Sequence, residues 1–174
     1  MPNQRPSPDQ YAPHQQSYVS LIEPPILDAL TTQEAVIRAL PASIDDDKAA
    51  YRYAPRKWSV REVLGHMADA ERVYQHRALV LSREGEGELP RWDPDGYAAA
   101  AHFDTRSVTS LAEEMLAVRR ATIAFFANLE ASVWSNSGTL NGKPLSVRAL
   151  AFIAAGHFQR HLNVLRERYG VSAV

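Results

Sequence analysis

The chain of 174 residues contains no cysteine. That excludes disulfides, thiolate metal sites and a cysteine nucleophile, so any metal must be held by His, Asp or Glu. A charge excess is also lacking: 19 Lys and Arg face 20 Asp and Glu, for a formal net charge of −1. Without a basic surface, nothing argues for nucleic acid as a partner. No apolar run approaches the roughly 18 residues of a membrane span. The N-terminal MPNQRPSPDQYAPHQQS lacks the apolar stretch of a signal peptide, so a cytoplasmic location is the expectation. No glycine-rich phosphate loop and no Ser-His-Asp arrangement is recognisable.

What is present suits an ordinary globular protein: 45% hydrophobic and 22% charged residues. The length is enough for one buried core. Residues 1–17 carry four prolines and four glutamines with little to bury. They read as a flexible arm, leaving 18–174 as a single domain.

Beyond the arm the period is helical. A first helix starts at Pro24-Pro25, turns Ile26, Leu27, Leu30, Ile37 and Leu40 inward, and ends near Pro41. The second starts at RKWSVREVL, where Ser59 and Glu62 form a capping box and Trp58 and Val63 a hydrophobic staple. Its stripe runs through Val63, Ala70, Val73, Tyr74 and Leu81 towards Gly85. The Gly- and Pro-containing EGELPRWDPDG is a loop, with a short helical stretch around YAAAA after it. A third helix starts near Ser107 and carries Val108, Leu111, Met115, Val118, Thr122, Phe125 and Leu129. WSNSGTLNGKP forms a hairpin or loop. The fourth helix runs from LSVRAL to Tyr169, stopped by Gly170. Its Ser-Val-Arg start, with Leu145 and Leu150 as a staple, repeats that of the second helix, through shared capping chemistry or duplication. Four amphipathic helices without strand alternation predict an all-α four-helix bundle.

Two helices send histidine to the interior. In AAGHFQRHLNVL, His157 and His161 stand four apart and share a face with Leu150 and Ala154. Arg148, Gln159, Asn163 and Arg166 occupy the other side. His66 shares its face with Val63, Ala70 and Val73. An unsatisfied buried polar group costs about 1–3 kcal/mol, and three such rings would cost a large part of a stability of about 5–15 kcal/mol. A shared metal ion removes that cost, because neutral imidazole is a good ligand. HxxxH plus a distant His matches a site with three protein ligands and open positions. Satisfied core rings are the competing reading, and the residues leave both open. Phe158 stands where a zincin peptidase would place its general base, so that chemistry is excluded.

The remaining candidates are weaker. Glu62 lies a turn before His66 but is better used in the capping box. Asp69 could orient a ring or be solvated, and Tyr74 reads as core. His14, His76 and His102 read as surface residues. The loop with Trp92 and Asp93 either roofs a pocket or is exposed.

WSVREVLGHMADAER, the PRWD loop and AGHFQRHLNVLRERYG together resemble the DinB/YfiT-like superfamily of four-helix proteins. The likeness spans roughly residues 22–170 and implies a four-helix bundle with long crossover connections. It also implies a divalent metal held by His66, His157 and His161, and commonly a homodimer. Some relatives are S-transferases using a low-molecular-weight thiol such as bacillithiol or mycothiol; others are described as metal-dependent hydrolases. Three imidazoles suit zinc or nickel, and also iron or copper. The leading expectation is therefore a metal-dependent thiol S-transferase or hydrolase acting on a small electrophilic molecule. A non-catalytic metal- or ligand-binding stress-response protein is the alternative. A structural dimeric bundle with merely satisfied histidines is the third.

Overall fold

Three of the four long helices begin at a serine cap, and the other begins directly after Pro24-Pro25. The computed structural model describes residues 4–171. Its helices are α1 (Gln16–Val19), α2 (Ile26–Ser43), α3 (Asp46–Ala50), α4 (Val60–Glu84), α5 (Pro94–Ala101), α6 (Val108–Ala127) and α7 (Val147–Tyr169), with strands β1 (Ser137–Leu140) and β2 (Lys143–Ser146). Ser59 caps α4, accepting from the Glu62 amide while the Glu62 carboxylate accepts from the Ser59 amide. Ser107 caps α6 and Ser146 caps α7 in the same way, each accepting from the amide three residues on. Gly170, at φ 68°, ends α7 in the left-handed conformation that glycine adopts without strain. Between β1 and β2, Asn141 and Gly142 both have positive φ, which makes WSNSGTLNGKP a tight hairpin.

The four long helices form the bundle. α4 packs on α6 and α7, and α2 packs on the same two helices. Sequential partners α2 and α4, and likewise α6 and α7, therefore sit at opposite corners, and the chain crosses the bundle through long connections. No helix of the described residues is long and apolar enough to cross a membrane.

The interior is two apolar clusters separated by a polar layer. One cluster holds Ile26 and Leu30 of α2, Ala70 of α4, Phe126 of α6 and Phe152 of α7. The other holds Ile37, Leu64, Met115 and Phe158 from the same four helices. Along α2, α6 and α7 the buried polar residues Gln33, Arg119 and His157 fall between members of the two clusters, and on α4 buried His66 and Glu71 flank the changeover.

Three expectations need correction. In α6 the buried ring is Phe126, while Phe125 is only half-buried. Eighteen residues after Val108 close five full turns, which returns position 126 and not 125 to the inward stripe. Second, the predicted arm is folded over its described part. Residues 8–10 and 13–15 form 3-10 turns leading into α1, and Tyr11, Ala12 and Gln15 are buried. Residues 1–3 of that arm lie outside the described residues. Third, α7 is not two-sided along its first half: Ala149–Phe158 is buried on every face. The two corrections share a cause. ALAFIAAGHF is apolar all round and needs cover on the side facing away from the bundle, and α1 packs on α7 to supply it.

Candidate metal centre

His66 reaches the interior from the second turn of α4, and His157 and His161 from α7. Their rings meet. The Nε2 atoms of His66 and His161 each lie 3.1 Å from Nε2 of His157. One nitrogen from each ring falls within a sphere of 4.8 Å separation, with His66 and His157 buried and His161 half-buried. Ligand nitrogens placed ~2.0–2.1 Å from a tetrahedral ion lie roughly 3.3 Å apart. The observed spacing is close to that.

Electrostatics point the same way. Burial, reinforced by the neighbouring His161, pushes the His66 ring down to about 3. Burial, with Arg160 nearby, lowers His161 to about 4. His157 is pushed well below the usual imidazole range, by burial first and by the other two rings second. All three rings are therefore neutral at neutral pH, the form that ligates metal. Three neutral rings facing one another through Nε2 compete for protons that cannot satisfy every pair. Nδ1 of His66 and of His161 is also buried with no hydrogen-bond partner. The donor set fits a divalent cation better than it fits a core of hydrogen-bonded rings.

Aromatic packing flanks His66, whose Nδ1 has no hydrogen-bond partner. Trp58 lies 4.6 Å from its ring centroid, and Trp92 stacks on it at 5.5 Å with planes 6° apart. The expectation that the Trp92 loop roofs a pocket thus has a specific contact behind it. The loop is strapped to the hairpin: the Leu89 amide donates to the Thr139 carbonyl at 2.7 Å, and the Thr139 amide donates to the Gly87 carbonyl at 2.8 Å. The Tyr169 hydroxyl, donating 2.8 Å to the Trp58 carbonyl, fixes the other wall.

A model of the DinB superfamily matches residues 29–165 of the chain. The chain belongs to that family. Among solved structures, "YfiT from Bacillus subtilis is a probable metal-dependent hydrolase with an unusual four-helix bundle topology" is similar to it over 98% of this chain and 95% of that one, with a TM-score of 0.75 and 14% identity. At that identity the likeness is one of fold. A comparison with curated proteins returns no match.

Around the three histidines of this DinB-superfamily chain lie two cavities. The larger, about 450 Å³, is lined by Tyr18, Tyr74, Arg77, Trp92 and all three histidines, among others. The smaller, about 360 Å³, is lined by Tyr53, Arg56, Lys57, Asp95 and Tyr169, among others. Both are bordered by Trp58 and His161. Tyr18 and Tyr74 set their rings edge-on to His157 at 5.6 and 5.5 Å. Burial raises the Tyr74 phenol above its ordinary value, so it stays protonated.

The weaker candidates sort cleanly. Glu62 is committed to the cap and to ion pairing with Arg52. Asp69 pairs with Arg72 at 3.2 Å and lines neither of the two cavities. His76 and His102 are exposed. His14, also exposed, nonetheless stands at the rim of the larger cavity. Phe158 turns its ring under the Arg119 guanidinium, 4.8 Å away, and takes no part in the histidine cluster. Tyr18, Gln15 and Arg77 were missed by pattern reading. One signal for Tyr18 was Gly156, an isolated glycine within an apolar helix. A Cβ there would lie 2.2 Å from the Tyr18 carbonyl oxygen, so the glycine permits the close approach of α1.

Proposed function

We propose that the protein holds one divalent metal ion through His66, His157 and His161 and uses it to react a thiol or water with a small electrophilic molecule. The observation that carries this reading is the convergence of three neutral imidazoles by their Nε2 atoms at one point bordering two cavities. The chemistry such an ion supplies is Lewis acidity, which lowers the pKa of a thiol or water at its open positions. Zinc or nickel suits the ligands best, with iron or copper as further candidates. The B. subtilis neighbour, described as a probable metal-dependent hydrolase, supports metal-dependent chemistry of this kind.

The chain's own residues favour transfer over amide hydrolysis. Two cavities meeting at Trp58 and His161 leave room for two reactants. No carboxylate lines the larger one, and the smaller has a single one, Asp95, so an Asp or Glu base for water is lacking on the side where all three histidines line the cavity. Tyr74, kept protonated by burial, has an O–H to donate and does not accept a proton. A thiol has a far lower intrinsic pKa than water and needs less help. With no cysteine in the chain, that thiol must be a low-molecular-weight co-substrate.

The lack of a carboxylate in the larger cavity also suits one other reading, a non-catalytic metal- or ligand-binding stress-response protein. Turnover separates the two. Zinc- and nickel-loaded protein is assayed against a panel of electrophiles with bacillithiol, mycothiol and simpler thiols, and against esters without thiol. Thiol-dependent turnover that disappears in His157→Ala supports the transferase. Stoichiometric metal with no turnover of any pair would leave the binding protein.

A further inference from the structure

Two arginines in this molecule have almost no solvent-exposed surface, and they are treated very differently. Arg119, with no exposed side-chain surface, has both oxygens of Glu71. Arg77, only 5% exposed, has a single partner: its Nη2 donates to the Pro90 carbonyl at 2.7 Å. Its Nε is buried without an acceptor, and no carboxylate among the described residues pairs with it. A guanidinium carries five N–H donors and remains charged in proteins. A buried cation with one carbonyl for company lacks its counter-charge.

The position of Arg77 says where that counter-charge belongs. Eleven residues separate it from His66 on α4, three turns and about 20°. The two side chains therefore leave the same face, and both line the larger cavity. Their Cα atoms are about 16 Å apart along the axis, and helical side chains lean towards the N-terminus, which carries the guanidinium back towards the histidines. Arg91 stands exposed at the rim, and Gln15 and Asn141 add amides to the wall. The Trp92 Nε1, on a ring that lines the same cavity, is a second buried donor without an acceptor. No Asp or Glu is among the residues that line this cavity.

We infer that the larger cavity binds a small molecule with a terminal oxyanion, a carboxylate or phosphate, gripped by Arg77 while its opposite, reactive end lies at His66, His157 and His161. The placement of the reactive end rests on the metal-centre reading above; the oxyanion grip does not. One reactant of the proposed transfer is thus an acid, and a neutral analogue of the same length is discriminated against, because it leaves the guanidinium unpaired.

The test uses matched probes on the full chain. 6-Mercaptohexanoate and 6-mercaptohexan-1-ol differ only at the end meant for Arg77. Each is titrated calorimetrically into metal-free and zinc-loaded protein, with inorganic phosphate as a competitor. The acid is expected to bind the metal-free wild type about tenfold or more tighter than the alcohol, the scale of a hydrogen bond to a charged group. Phosphate should compete with the acid, and Arg77→Gln should bring acid and alcohol to within about twofold, while Arg77→Lys keeps part of the preference. Equal binding of the two probes, binding of neither, or a preference that survives Arg77→Gln overturns the inference. Should Arg77→Gln fail to fold, the wild-type comparison and Arg77→Lys decide: a preference undiminished by lysine counts against the arginine grip. If zinc fails to bind stoichiometrically but the acid keeps its advantage, the metal reading falls and this one stands. If zinc binds and the acid has no advantage, the reverse holds.

Discussion

Arg119 donates from Nε and Nη2 to the two oxygens of Glu71, at 2.8 and 2.7 Å, with both side chains buried. The pair joins α6 to α4. Its third nitrogen, Nη1, bonds the Gln33 amide oxygen on α2, and the Gln33 amide nitrogen donates 3.0 Å to the Ala155 carbonyl on α7. One network therefore touches all four long helices, two residues from His157.

Removing one partner leaves the other charged and buried. Arg119→Met is expected to destabilise by about 3–5 kcal/mol, whereas the double change Arg119→Met with Glu71→Leu recovers most of that loss. Urea denaturation of the three proteins gives the answer. A single variant as stable as the double would show that the pair contributes little.

Metal binding should be all-or-none in the ligand set. Alanine at His66, His157 or His161 is expected to abolish stoichiometric zinc or nickel, while alanine at exposed His76 or His102 leaves it unchanged. Free metal at a thousandfold over its dissociation constant stabilises by about 4 kcal/mol. Removing it with a chelator should lower the Tm of the wild type and not that of the alanine variants. Elemental analysis and scanning calorimetry check both statements.

Acid should weaken the metal-free protein over a defined window. In the unfolded chain imidazole titrates near ~6.5; in the folded chain His66 titrates at about 3 and His161 at about 4. Between those values the unfolded state binds more protons, so stability rises with pH. Expected behaviour is a plateau above about pH 6.5 and a decline as pH falls towards about 4. Denaturation midpoints measured at intervals between these limits should show the slope, and replacing His66 with an apolar residue should flatten it.

Gly156 should be intolerant of even one methyl group. Its Cβ would stand 2.2 Å from the Tyr18 carbonyl oxygen, a backbone atom that cannot swing aside. Gly156→Ala is expected to cost about 1–3 kcal/mol and to lift α1 from α7. Limited proteolysis then cleaves within residues 11–22 of the variant sooner than in the wild type. Equal rates would mean that α1 adjusts without leaving.

Local structure was legible wherever chemistry is local. Ser59 with Glu62 announced the start of α4, and Gly170 the end of α7, because caps satisfy backbone groups within three or four residues. The common face of His157 and His161 followed from the helical period. Phe125 against Phe126 failed for a quantitative reason, since the 3.6-residue period drifts over five turns. Tyr11 and Gln15 failed for another: a proline-rich segment shows no periodicity, and its burial depends on an apolar face of α7 more than a hundred residues away.

The sequence by itself determined that four helices form, roughly where they start, and that two elements carry inward imidazole. These are consequences of backbone hydrogen bonding and side-chain period, and neither needs a partner segment. Only the tertiary structure decided that His66 meets His157 across 91 positions of chain, that two tryptophans clamp its ring, and that Arg77 shares its cavity without a counter-charge. Those are distances between segments, and they are set by how apolar faces and one buried ion pair choose to pack.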